Sequence, residues 1–262
     1  MLKSFLKSQK WLSKQFDRLF PEKFRLDGQT DYQKNIVPAY LKENLLVYDI
    51  GGGKRPYLNP GEKKRYKAEV IGLDISAEEL NSAPEGAYDQ KITADIACYR
   101  GAGNADLIIC QSLLEHVHDI EAALAAFQSI LKPGGLALVF VPSRNALYAR
   151  LNMLLPQVVK KKLLFTFFPE SKVKLGFPAY YQKCTPRALK KVSADCNFSV
   201  IDVSYYYNSV YFRFFFPFQL LWRTWLLLYF AIYREQAAET FTLVLKKNSI
   251  IPAIVAQDAT DR

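Results

Sequence analysis

Cysteine and histidine are scarce in this sequence. Its 262 residues include only two histidines and four cysteines, which are Cys98, Cys110, Cys184 and Cys196. No Cys-x-x-Cys pair is present, so a disulfide scaffold and a zinc site are excluded and reduced thiols are expected. Glycine and proline number 12 and 13, which excludes a collagen-like chain. Because histidine and cysteine are scarce, no metal is expected.

Long uncharged apolar runs are also missing. The N-terminus interrupts its apolar residues with a lysine every three or four positions, unlike a secretory signal. The aromatic-rich run at 210–233 contains Arg213, Pro217 and Arg223, and its uncharged stretches are much shorter than the roughly 18 residues of a transmembrane helix. We expect a cytoplasmic protein that associates at most with the inner face of a membrane.

Charge is unevenly distributed along the chain. The formal net charge is +10, yet residues 68–130 hold eleven acidic and two basic side chains. This pattern argues against a nucleic-acid-binding surface along the whole chain. Local basic patches could still bind an anionic partner, and each is equally explained as solvated surface. An RNA-binding alternative would use residues 63–67, Arg144, Arg150 and residues 160–162.

Short β-rich runs alternate with helix-compatible stretches from residue 45 to 142. The runs lie at 45–50, 69–74, 90–93, 105–110 and 135–141, and two later strands are predicted at 198–205 and 239–246. A helix with Asp119 as its N-cap precedes the fifth run. This alternation predicts an α/β fold with a doubly wound, mostly parallel seven-stranded sheet.

Two segments lie outside a minimal α/β core. Residues 1–44 form an N-terminal extension that begins with an amphipathic helix, and residues 207–236 form an apolar helical insertion within a main domain at 45–247. Residues 248–262 are a C-terminal tail. If 210–233 is helical, Arg213, Arg223 and Arg234 lie within roughly 80° of one another. This cationic stripe predicts a helix in a membrane interface or beside an apolar pocket, and the alternative is a buried hairpin of core helices whose arginines extend to solvent.

The strongest local signal is a glycine-rich turn at 51–53 directly after the first strand. Asp74 ends the next strand, at the spacing from which a carboxylate accepts both ribose hydroxyls. Pro56 stands where a dinucleotide fingerprint needs its third glycine, and no P-loop serine or threonine follows Lys54. Hydride and phosphoryl transfer are therefore disfavoured.

The chain resembles class I S-adenosylmethionine-dependent methyltransferases of the group called type 11. The resemblance covers about 100 residues and is carried, in the family's order, by VYDIGGG (47–53), VIGLDIS (70–76), TADIA (93–97), ADLIICQSLLEHVHD (105–119) and LKPGGLALVFVPS (131–143). It implies the Rossmann-like methyltransferase fold and S-adenosylmethionine as cofactor. One departure is that Pro56, Pro60 and Gly61 replace the usual helix after the turn, which predicts a reshaped rim.

The resemblance also implies roles for individual residues. Asp49, Gly51 and Gly53 would shape the pocket for the methionine part of the cofactor, and Asp74 would hold the ribose. The adenine would contact Asp95 and Ile96, and the backbone of Gln111 would lie beside the methionine moiety. Each carboxylate taken alone is also explained by a structural role at a strand end.

The acceptor side offers fewer signals. His116 is a candidate base for a hydroxyl acceptor, and its alternative is a histidine bonded to backbone. Tyr180 and Tyr181 are candidates for lining the acceptor site, in a loop that resembles one of relatives acting on glycans or lipid-linked molecules. We expect a methyltransferase with a small-molecule or lipid-linked, apolar acceptor. The alternatives are a catalytically idle cofactor-binding scaffold at a membrane and an RNA methyltransferase. The RNA methyltransferase is disfavoured because this chain has no Asn/Asp-Pro-Pro-Tyr-type motif after the fourth strand.

Overall fold

Seven strands form the centre of the computed structural model, which describes residues 2–155 and 177–249. The strands are β1 (Leu46–Ile50), β2 (Glu69–Asp74), β3 (Gln90–Thr93), β4 (Ala105–Gln111), β5 (Leu131–Pro142), β6 (Phe198–Tyr206) and β7 (Thr240–Lys247). Their order is β3-β2-β1-β4-β5-β7-β6, with β1 to β5 parallel and β7 antiparallel to both neighbours. The predicted mostly parallel seven-stranded sheet is confirmed.

Helices flank the sheet and extend from it at the N-terminus. They are α1 (Leu2–Asp17), α2 (Gly28–Asp31), α3 (Val37–Tyr40), α4 (Pro60–Tyr66), α5 (Ala77–Asn81), α6 (Ile120–Ile130), α7 (Leu147–Leu154), α8 (Pro186–Asp195) and α9 (Phe216–Tyr233). A π-helical turn, Tyr32–Ile36, joins α2 to α3, and 3-10 turns lie at Glu22–Phe24, Leu114–His116 and Arg234–Ala237. The predicted N-terminal amphipathic helix corresponds to α1, and the apolar insertion contains α9.

Both faces of the sheet are buried. Neighbouring residues of each central strand point to opposite sides, and they belong to two different hydrophobic clusters. Tyr48 and Ile108 belong to the cluster beneath α6 and α8. Val47 and Leu107 belong to the cluster on the other face, where Tyr32 donates its hydroxyl proton to the carbonyl oxygen of Leu138 over 2.8 Å. The helical segment from α2 to α3 therefore closes one face of the sheet.

Capping side chains determine where the flanking helices begin. Asp119 accepts a hydrogen bond from the backbone N–H of Ala122, as the predicted N-cap of α6 should. The expectation that no helix follows the glycine turn is wrong, because α4 forms there. Asn59 and Glu62 build a reciprocal capping box, and Pro60 occupies a first-turn position where its missing N–H costs no bond.

The predicted cationic stripe on the insertion is also wrong. Arg213 precedes α9, and Arg223 is only 1% exposed, with its Nε donating to Asp17 Oδ1 over 2.8 Å. Arg213 Nε donates to Asp17 Oδ2 over 3.0 Å. Arg223 thus joins α9 to α1, and Arg213 joins the segment before α9 to the same carboxylate. The alternative of a buried hairpin whose arginines reach solvent is wrong as well, because Arg223 is buried.

Several sequence-based expectations fall outside the described residues. These are residues 160–162 of the basic patches and residues 250–262 of the C-terminal tail. The domain boundaries given above stay predictions. Across residues 2–155 and 177–249, no helix has the length and apolar character needed to cross a bilayer.

Candidate active site

The turn after β1 brings its backbone close to two carboxylates. Gly51 and Gly53 have φ angles of +78° and +51°, which glycine adopts without the strain a side chain would bring. A Cβ on Gly52 would lie 2.5 Å from Asp49 Oδ2, and one on Gly53 would lie 3.1 Å from Asp74 Oδ2. The carboxylates of Asp49 and Asp74 thus pack directly against the glycine backbone, at positions where a larger residue does not fit.

Asp49 is buried at the base of this turn. Its Oδ2 accepts hydrogen bonds from the Tyr57 backbone N–H over 2.7 Å and from the Tyr88 hydroxyl over 3.3 Å. Burial raises the pKa of Asp49 to about 6, although both hydrogen bonds favour the ionised form. Asp49 thus holds the chain after the turn in place and can gain charge near neutral pH.

Asp74 is the last residue of β2, and Asp95 follows β3 by two positions. Asp74 Oδ1 accepts from the Ser76 N–H over 2.9 Å, and burial raises the pKa of Asp74. Asp95 Oδ1 accepts from the Ala97 N–H over 2.9 Å and its side chain is exposed. Ile96 is buried in the core beneath α6. The parallel order β3-β2-β1 places Asp74 and Asp95 on the same edge of the sheet, at the carboxyl ends of their strands.

A cavity of about 470 Å³ opens between the glycine turn, β4 and the N-terminal helical segment. It is lined by Gln29, Gln33, Asp49, Gly51, Gly52, Arg55, Pro56, Tyr57, Glu62, Ile109 and Gln111. Gln33 Nε2 donates to Gln111 Oε1 over 3.0 Å across this space. Of the predicted cofactor residues, Asp49, Gly51 and Gln111 line this cavity, whereas Gly53, Asp74, Asp95 and Ile96 do not. Gln29, Gln33, Arg55 and Tyr57 line it and were not predicted. Arg55 was marked only by its position two residues after the turn.

The 3-10 turn after β4 carries the candidate base. His116 Nδ1 lies 2.7 Å from the carbonyl oxygen of Pro178. Because a carbonyl can only accept, Nδ1 carries a proton, and in the neutral ring Nε2 is then the unprotonated nitrogen. Nε2 lies 3.8 Å from Glu115 Oε1. The histidine is therefore bonded to backbone and still presents a basic nitrogen.

Glu115 is a buried acid that was not among the predicted site residues. It is 4% exposed, and its Oε2 has no hydrogen-bond partner within the described parts of the chain. Burial raises the pKa of Glu115 to about 8, so the neutral acid predominates at pH 7. Its only signal in the sequence was its position beside His116 after an apolar strand.

The two candidate tyrosines join this cluster through their backbone. The N–H groups of Tyr180 and Tyr181 donate to the Glu115 carbonyl oxygen over 2.7 and 3.0 Å. The Tyr180 ring packs on His118 with 3.5 Å between centroids, and Tyr181 is buried. The structure therefore brings His116, Tyr180 and Tyr181 together at the end of β4.

Comparison with known proteins identifies the family. Residues 19–203 match a family model described as a methyltransferase domain, and the chain belongs to this methyltransferase family. It is an S-adenosylmethionine-dependent methyltransferase of class I, and S-adenosylmethionine is its cofactor. The prediction made from the motifs is thereby confirmed.

Curated relatives share only part of their length with this chain. A ubiquinone biosynthesis O-methyltransferase of Psychrobacter arcticus is 26% identical over 190 residues, covering 69% of this chain and 68% of that protein. A protein of the same name from Rhodopseudomonas palustris is 30% identical over 119 residues, covering 44% and 46%. The chain thus spans about half the length of the second relative.

Solved structures share the fold at low sequence identity. An S-adenosylmethionine-dependent methyltransferase of Mesorhizobium loti matches with a TM-score of 0.54 and 14% identity, covering 84% of this chain and all of that one. Phosphoethanolamine N-methyltransferase 2 of Haemonchus contortus, in complex with S-adenosyl-L-methionine, also has a TM-score of 0.54 and 14% identity, covering 93% and 57%. These likenesses establish the fold.

Proposed function

We propose that this methyltransferase transfers a methyl group to a hydroxyl of an apolar, lipid- or glycan-linked acceptor. The observation that carries the proposal is the hydrogen bond from His116 Nδ1 to Pro178, which leaves Nε2 as a base beside the buried Glu115. A hydroxyl is the acceptor class that most benefits from proton removal. The relatives named as O-methyltransferases support the same acceptor atom.

The residues of the glycine turn and the strand ends fit the cofactor. Gly51 and Gly52 line the cavity beside Asp49, and the Asp49 carboxylate leaves no room for a Cβ on Gly52, so backbone forms this part of the cavity wall. Asp49, Gly51 and Gly53 would hold the methionine part, with Gln111 beside it, while Asp74 would hold the ribose. Asp95 and Ile96 would contact the adenine. When bound, S-adenosylmethionine supplies a methyl group on a positively charged sulfur, which suits direct displacement.

His116 would take the proton of the acceptor hydroxyl at Nε2. The resulting imidazolium keeps its Nδ1–H bond to the Pro178 carbonyl, which stabilises the added charge. Glu115 Oε1, at 3.8 Å from Nε2, would favour the imidazolium further when the carboxyl is ionised. Tyr180 and Tyr181 would line the acceptor beside this base, because their backbone is bound to Glu115.

Methyl transfer to cell extracts tests this function. The purified chain would be incubated with methyl-labelled S-adenosylmethionine and, separately, with lipid and aqueous extracts of cells that lack the protein. We expect label in the lipid extract and, by mass spectrometry, one added methyl group that is stable to the conditions that cleave esters. Replacing His116 by alanine should lower the rate by roughly 10² to 10⁴.

Two controls make the result specific. His118→Ala, next to Tyr180 rather than Pro178, should retain most of the rate. Both variants should bind S-adenosylhomocysteine as the unaltered chain does. Label confined to an RNA fraction, or an unchanged rate for His116→Ala, would contradict the proposal.

A further inference from the structure

The outer face of α9 is apolar and open to solvent. With 100° between successive residues around the helix axis, all exposed residues from Phe216 to Ile232 lie within one arc of about 180°. They are Pro217, Phe218, Leu220, Leu221, Thr224, Leu227, Leu228, Ala231 and Ile232. The set contains no charge, and its one polar side chain, Thr224, donates to the Leu220 carbonyl oxygen over 3.0 Å. Leu228 and Ile232 are 64% and 71% exposed.

The opposite face of α9 is held by polar contacts that fix its orientation. Gln219 Nε2 and Arg223 Nε both donate to Asp17 Oδ1 of α1 over 2.8 Å. On another side, Arg150 of α7 donates to the Tyr229 hydroxyl over 2.9 Å. Rotation that buried the apolar arc would break these bonds. The arc is therefore a built feature of the surface and not an unpacked core face.

Helix α1 adds positive charge to this helix pair. Lys7, Lys10 and Lys14 are exposed, lie within about 60° of one another around the axis, and have no acidic partner among the described residues. Trp11 lies next to them and is 58% exposed. Asp17, the one acid of α1, is neutralised by Arg213 and Arg223. The outward charge of α1 is thus wholly positive.

We propose that α1 and α9 form a docking surface for an anionic phospholipid bilayer. Helix α9 has 18 residues and is about 27 Å long, and a neutral apolar arc along that length suits a helix lying in the plane of the interface. The lysines of α1 would face lipid headgroups, and Trp11 would occupy the interfacial zone that tryptophan favours. Leu151 and Leu154 of α7 are also exposed, and Arg150 of the same helix contacts Tyr229 of α9. This surface is independent of the acceptor's chemistry.

Vesicle co-sedimentation of the full chain tests the proposal. The probes are vesicles of phosphatidylcholine alone and of phosphatidylcholine mixed with phosphatidylglycerol. Binding should be stronger to the anionic vesicles and should weaken as salt is added. Replacing Lys7, Lys10 and Lys14 by glutamine should lower the partition coefficient on the order of 100-fold, at about fivefold for each charge near the surface.

Matched variants separate docking from general charge and folding effects. Lys42, Lys64 and Lys91, also exposed, should tolerate the same triple change to glutamine with little loss of binding. Leu228→Ser should weaken binding about tenfold or more, whereas Ile201→Ser on the edge strand β6 should not. Equal losses for test and control variants would overturn the proposal. So would a stable dimer that Leu228→Ser dissociates, without any vesicle binding, because the arc would then bind a second copy.

Discussion

Replacing Asp17 by alanine should destabilise the protein strongly, because it leaves a charge buried without its partner. Asp17 accepts hydrogen bonds from Arg213, Gln219 and Arg223, and Arg223 is 1% exposed. Breaking such a buried pair costs about 3–5 kcal/mol. Arg223 retains bonds to the carbonyl oxygens of Phe24 and Tyr207, so we expect the low end, about 3 kcal/mol.

Thermal unfolding followed by circular dichroism measures this effect. A loss of about 3 kcal/mol should lower the Tm by roughly 6–12 °C for a chain of this size. Glu43→Ala is the control, because its ion pair with Lys67 is exposed, and the Tm should hardly change. Adding Arg223→Met to Asp17→Ala should recover stability. A Tm loss for Asp17→Ala no larger than that of the control, or a double variant less stable than the single one, would refute this reasoning.

Three further predictions follow from the buried carboxyls and the glycine turn. Burial raises the pKa of Glu115 to about 8 and that of Glu239 to about 7. The two protonated carboxyls therefore stabilise the folded protein fully below the ordinary glutamate pKa, and this stabilisation is lost as pH rises through 7 and 8. Urea unfolding should show this decline, and Glu115→Gln should flatten it. Because the pKa of Asp49 is about 6, binding of the cationic cofactor should strengthen from pH 5 to 7 by calorimetry, and Asp49→Asn should remove that slope. Gly52→Ala should weaken cofactor binding at least about tenfold, since its Cβ would lie 2.5 Å from Asp49 Oδ2.

The glycine turn and the acids at the strand ends could be located from the sequence because their signals are short. A glycine turn after one strand and an acid at the end of the next need only the parallel order of the strands to converge. The helix α4 could have been predicted in the same way, since Asn59 and Glu62 have capping-box spacing and Pro60 suits a first turn. The prolines were instead interpreted only as helix breakers.

The arginines of the insertion could not be predicted, because their partner lies far away in sequence. Asp17 precedes Arg223 by more than two hundred positions, and no helical periodicity of the insertion indicates that contact. The helical wheel also assumed a helix from residue 210, whereas α9 begins at Phe216 and leaves Arg213 outside. The apolar character of α9 could be predicted from its composition, but the half of the helix that faces solvent depends on the contacts with Asp17 and Arg150.

The burial of Glu115 has a similar explanation. Its cover comes from residues that the loop at 177–184 brings back over β4, where Tyr180 and Tyr181 bind its carbonyl oxygen. A sequence places His116 beside Glu115 but does not show which of the two is exposed. The tautomer of His116 likewise depends on Pro178, 62 positions away.

Calorimetric titration with S-adenosylmethionine tests the assignment of this chain most directly. We expect a single binding event for S-adenosylmethionine and none for NAD. Asp74→Ala should weaken binding about 100-fold, since two hydrogen bonds to a charged group, at about 1.5 kcal/mol or more each, would be lost. Asp195→Ala, at an exposed site in the last turn of α8, should bind as the unaltered chain does. Binding of NAD without S-adenosylmethionine, or equal affinities for the two variants, would contradict the account.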